Sequence, residues 1–194
     1  MTTKKLARVF LLSAAATVAG GVSSAAWAED YNLDPRHSFV TFKIVHLGFS
    51  LMQGRFNDVK GSFSIDPDNP ANAKLDVTVK TASVDTNDAE RDKHLRSKDF
   101  LEVGKYPTAT FKSTSVKANG KKAKVMGNLT LHGVTKPVTI DAEFIGAGKD
   151  PWGGYRRGYQ GKTTIKRSDY GISYNLGPAA ESMELGLWIE GIRK

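Results

Sequence analysis

The 194-residue chain has no cysteine. This removes disulfides, thiolate metal ligands and thiol nucleophiles, and it excludes a lipid anchor on an N-terminal cysteine. Burial alone must hold the fold. Histidine is scarce, at four residues. No H-E-x-x-H pair and no G-x-S-x-G turn occurs, so neither a helical zinc site nor a hydrolase nucleophile elbow is indicated. The lysines are scattered and never form a run of five, which argues against nucleic acid as a partner. Beyond the N-terminus no apolar stretch approaches the roughly 20 residues that a membrane-spanning helix needs.

The N-terminus reads as a secretory signal peptide. Lys4, Lys5 and Arg8 precede a 14-residue apolar stretch, Val9 to Val22, and Ala26-Trp27-Ala28 has the A-x-A form of a cleavage site. Residues 1–28 are expected to be removed on export to the periplasm, leaving one domain at 29–194. The formal charge of the whole chain is +8; three basic residues and no acidic ones fall in the first 28, which leaves +5. That suits a solvated basic surface or transient contact with an anionic membrane surface.

What the chain does have is alternation of period two, the mark of half-buried strands. One face of successive segments carries Val40, Phe42, Ile44 and His46; Phe63 and Ile65; Leu75, Val77 and Val79; Val125, Gly127 and Leu129; Val138, Ile140 and Phe144; Tyr159, Gly161 and Ile165; Leu185, Leu187 and Ile189. With "PTATFKSTSV" this makes eight strands. Asn119-Gly120 predicts a tight hairpin, and "DPDNP" and "HGVTKP" predict turns. "NDAERDKHLRSKDFLEVGKYP" breaks the period and predicts a helix from about Asp88 to Arg96, capped by Asn87 with Glu90.

The pattern is compatible with an eight-stranded antiparallel barrel or a two-layer sandwich. A transmembrane barrel is excluded, because Lys43, Lys74, Lys80, Lys124, Asp141, Glu143 and Glu184 occupy the faces that would meet lipid. The inward glycines Gly127 and Gly161 predict either a cavity or a bend. His37 and His46 are nine residues apart, so a regular strand sends them to opposite faces and removes a metal pair. No carboxylate falls on the inward set of these segments. No catalytic residue, metal ligand or obligatory cofactor is therefore assigned. His46, with Phe49 and Met52, is expected at the rim of a cavity whose wall is the rest of the set above without Leu75 and Tyr159.

Five blocks carry a wider resemblance: "LDPRHSFVTFKIVHLGFS" with "GRF" at 33–56, "SVDTNDAERDKHLRSKDFLEVGKYPTATFKS" at 83–113, "GNLTLHGVTKPVTI" at 127–140, "RSDYGI" at 167–172 and the final "ELGLWIEG". In these the chain resembles the YceI-like proteins, and the match runs in order through residues 33–191. The resemblance implies an all-β, eight-stranded, lipocalin-like barrel with a short helical insertion. It implies a periplasmic carrier that holds a long isoprenoid chain, of polyprenyl or ubiquinone type, against the wall residues. It further implies a homodimer, no enzymatic activity, and a role in lipid handling or stress response. An enzyme acting on a lipid or quinone inside the barrel, and a fully packed structural domain, are the competing expectations.

Overall fold

The computed structural model describes residues 28–194, and the expected signal peptide up to Trp27 lies outside the described residues. The strands are β1 (Glu29–Leu33), β2 (Phe39–His46), β3 (Ser50–Phe56), β4 (Val59–Ile65), β5 (Lys74–Lys80), β6 (Val84–Asp85), β7 (Thr108–Asn119), β8 (Lys122–Leu131), β9 (Val134–Lys149), β10 (Tyr155–Lys166) and β11 (Ser182–Arg193). Eight of them close a ring in the order β1-β4-β5-β7-β8-β9-β10-β11, and β11 pairs back onto β1. That closure decides for the barrel over the sandwich. β2, β3 and β6 continue from the N-terminal part of the β11 edge that also carries β1. The alternation pattern includes β2, whereas the closed ring uses β1; β1, β3 and β6 are too short or too irregular to show a period.

β1 and β2 are two halves of one broken stave. β1 lies against the C-terminal part of β11, with Leu33 opposite Gly191, and β2 lies against its N-terminal part, with Phe39 opposite Trp188. Glu190 falls in the gap and has no strand partner on that side. The buried Ser38 hydroxyl bridges it, donating to the Glu190 carbonyl and accepting from its N–H, both at 3.0 Å. The turn between the halves is held by Asp34, which accepts from the Arg36 N–H, His37 Nδ1 and Arg156. Arg156 also binds Glu190 and Asp150, so this outer clasp ties β1, β10 and β11 together.

The interior has two parts. Tyr31, Leu33, Val59, Phe63 and Ile189 belong to one cluster. Phe42, Val84, Phe100, Leu101, Tyr170 and Ile172 belong to the other. The non-alternating block delivers Phe100 and Leu101 to the second cluster. Its helix, α1 (Ala89–Arg96), is capped by Asp88, whose side chain accepts from the Arg91 N–H, and not by Asn87. Asn87 instead takes a positive φ, with its N–H on Asp85.

The expected hairpin at Asn119-Gly120 is displaced by one residue. Asn119 pairs with Lys122, so Gly120 and Lys121 form the loop. His132 and Gly133 both have positive φ, as a type I′ turn requires. A bulge at Ser113/Ser115 shifts the phase of β7. Without it, an inward Phe111 would be followed by an outward Val116.

Gly127 is not a gap in the wall. A side chain there would overlap the Phe111 ring and the Lys112 carbonyl. Phe42 covers Gly54 and Phe63 covers Gly191 in the same manner. These inward glycines are seats for aromatic rings, and at Gly127 the Phe111 ring occupies the space that a cavity would need. Gly127→Ala is accordingly expected to cost about 1–3 kcal/mol of stability by overpacking, measured by urea unfolding.

Burial pushes the Asp34 carboxyl up, but its bonds to His37 and Arg156 outweigh that and hold it well below the ordinary carboxylate range. This stabilisation is fully present above the unfolded Asp value of about 4 and is lost as pH falls below it. Asp34→Asn is expected to lower stability by about 2 kcal/mol at neutral pH and to flatten the acid limb of a pH–stability curve.

Candidate functional site

Strand register sets the inward side chains in levels across the barrel. At one level Ala118 lies opposite Ala123, Ala123 opposite Ala142, and Ala142 opposite Gly161. Four consecutive strands thus present a methyl group or nothing. The next level holds Val116, Val125 and Ile140. Beyond it Phe111 lies over Gly127. Small residues above and an aromatic ring below leave an apolar cavity of about 390 Å³, bordered by Phe63, Ile65, Leu75, Val116, Val125, Ile140, Phe144, Leu187 and Ile189. Pro67, Pro70, Gly120 and Lys121, from the β4–β5 and β7–β8 connections, border its mouth.

Of the wall residues expected from alternation, the structure places Phe63, Ile65, Val125, Ile140, Phe144, Gly161, Leu187 and Ile189 on this cavity. Val40 and Val77 lie in the first packed cluster, with Val79 against it. Phe42 and Ile165 lie in the second, with Leu129, Val138 and Leu185 against it. Ile44 is buried opposite Met52, and Gly127 lies under Phe111. None of the three expected rim residues borders the cavity. His46 and Phe49 are exposed on the β2–β3 hairpin, Phe49 at 85%, and Met52 packs on the second cluster. Alternation identifies inward side chains but not which levels are filled.

The cavity also has a polar group that apolar alternation passes over. Arg157 is in phase with Tyr159 and Gly161 on β10, and its guanidinium borders the cavity with its side chain 11% exposed. It stands 5.2 Å from the Phe144 ring centre and donates long hydrogen bonds, 3.4 Å each, to the Tyr31 and Tyr159 hydroxyls. Tyr31 donates to Glu29 at 2.5 Å, and Glu29 also pairs with Arg193 at 2.8 Å. Glu29, in phase with Tyr31 and Leu33, is a carboxylate at the inward edge. The sequence reading missed it because β1 has only five residues, too few for its alternation to stand out. The bond from Tyr31 holds the Glu29 carboxyl below its ordinary range. Burial raises both phenols.

Outside the barrel, one ligand atom each from Asp34, His37 and Glu190 lie within 4.8 Å of one another. Arg156 already stands between the two carboxylates, at 2.5 Å and 2.6 Å. It supplies the positive charge there, so the cluster is an ion-pair clasp.

The sequence profile of the YceI-like domain matches residues 31–190. The chain belongs to the YceI-like family. A UPF0312 protein of Pseudomonas paraeruginosa is 56% identical to it over the full length of both chains. Among solved structures, the YCEI protein of Campylobacter jejuni is 35% identical, with a TM-score of 0.69 over 78% of this chain and 90% of that one. A polyisoprenoid binding domain from Saccharophagus degradans shares the fold, with a TM-score of 0.62 over 84% of this chain and 98% of that one, at 18% identity. The apolar cavity is thus found in a YceI-like barrel. Ultraviolet titration is expected to detect tyrosines ionising above about pH 10, and Tyr159→Phe is expected to remove one of them.

Proposed function

We propose that this YceI-like protein is an exported carrier that binds a long-chain isoprenoid lipid by burying part of the chain in its barrel, without chemistry on it. The observation that carries this reading is the apolar cavity beside the level of small residues. Its volume falls at the low end of the roughly 300–1,000 Å³ usual for ligand sites. The polyisoprenoid binding domain from Saccharophagus degradans supports the choice of ligand class through a shared fold. Burying one CH₂ contributes roughly 0.8 kcal/mol, so one isoprene unit contributes about 3–4 kcal/mol before ordering costs. A few units give useful affinity without an ion pair. Polyprenyl and ubiquinone-type tails satisfy the same wall, and no further cofactor is needed.

Periplasmic location rests on the signal-peptide pattern. A homodimer and transient contact with a membrane surface complete the proposal. Leu47, Phe49 and Leu51, exposed on the β2–β3 hairpin, suit either contact.

Organic extraction of the purified protein followed by mass spectrometry tests the proposal. A long-chain isoprenoid in near-stoichiometric yield is expected. Repeated lipid-free preparations that also take up no polyprenol would sink it. Ala142→Phe, which fills the level of small residues, is expected to lower polyprenol uptake at least about tenfold while the protein still unfolds cooperatively.

A further inference from the structure

We propose that Arg157, with the Tyr31 and Tyr159 hydroxyls, seats an anionic oxygen headgroup on the bound lipid. This rests on the lipid-binding reading and adds what the head of that lipid must be. The guanidinium is largely withdrawn from water at the end of an apolar cavity. A cation in that position needs a counter-charge and close hydrogen bonds. It has neither at full strength. Its two hydroxyl contacts are 3.4 Å long, and the nearest carboxylate oxygen, on Glu29, is 3.8 Å from its terminal nitrogen.

Glu29 cannot neutralise the cluster. Arg193 shares the same carboxylate at 2.8 Å, so two guanidinium groups face one carboxylate and one positive charge is left over. The mouth adds to the imbalance. Lys74, Lys121 and Lys122 border the cavity with a single acid, Glu143, which accepts from Gln160 at 3.0 Å. A quinone carbonyl would accept a hydrogen bond here but leave the charge unbalanced. A phosphate or carboxylate supplies the missing charge, and its oxygens match the guanidinium fork. The tail then runs from Arg157 past Phe144 and Gly161 into the apolar levels.

Isothermal titration of the wild-type protein with geranylgeranyl monophosphate, geranylgeraniol and palmitate tests this. The phosphate is expected to bind about tenfold or more tightly than the alcohol, and added salt is expected to shrink that advantage. Arg157→Met is expected to abolish the advantage while leaving alcohol binding in place. Lys121→Gln, at the exposed mouth, is expected to reduce it severalfold in a protein whose core is untouched. Palmitate with a similar advantage assigns the seat to anionic lipids in general; palmitate that binds like the alcohol assigns it to phosphate. Equal wild-type affinities for phosphate and alcohol overturn the headgroup assignment and leave the barrel reading standing. Failure of all three probes to bind overturns both.

Discussion

The barrel closes across a two-residue gap in the pairing of β11, at Ile189 and Glu190. On one edge β11 pairs with β10 along its length, from Lys166 opposite Ser182 to Arg156 opposite Ile192. On the other edge it changes partner, from β2 to β1, and Glu190 falls in the gap. An unpaired backbone group buried there would cost as much as a lost hydrogen bond. The Ser38 hydroxyl accepts from the N–H and donates to the C=O, which also accepts from the Asp34 N–H at 2.8 Å. The break lets the chain turn outward at Asp34 and return at Phe39, so two strands, both antiparallel to β11, share it as a neighbour. The ring with β1 and the flap with β2, β3 and β6 both depend on that exchange.

From the break follows the division of the interior. The flap side is filled by Phe100 and Leu101 from the non-alternating block, and by Tyr170 and Ile172 from the segment before β11. The closed side has no such insertion, and its levels are set by the strands alone. Where a glycine faces an aromatic ring, as at Gly127 and Phe111, the level is full. Where alanines and a glycine face one another across β7 to β10, it is open. The cavity is therefore a matter of register. Each bulge matters because it decides which residues stand at one height.

Much of the fold was legible in the sequence because an antiparallel strand with one wet face must alternate. The eight alternating segments are strands, the polar block contains the helix, and the motif blocks lead to the family. The site was less legible. Eight of the expected wall residues border the cavity, but alternation cannot tell Phe42 or Ile165, in a packed cluster, from Ile140, beside open space. Gly127 and Gly161 looked alike in the pattern and differ in the fold, since a ring covers only the first. Arg157 falls outside any pattern of apolar residues, although two steps back from Tyr159 places it on the same face. His46 failed as a rim residue for another reason. It ends its strand at an exposed hairpin, and parity along a strand does not say which end of a barrel it reaches.

The level formed by Ala118, Ala123, Ala142 and Gly161 has a consequence for descent. Each of the four sits on a different strand, and none belongs to the Ser38 bridge, the Asp34 clasp or the aromatic seats. A methyl lost at one of the three alanines changes the room inside by roughly one CH₂ while the closure stays as it is; a methyl gained at Gly161 would meet the Ile140 side chain. The room inside the barrel and the closure that holds it are thus written at separate positions, and one can change without the other.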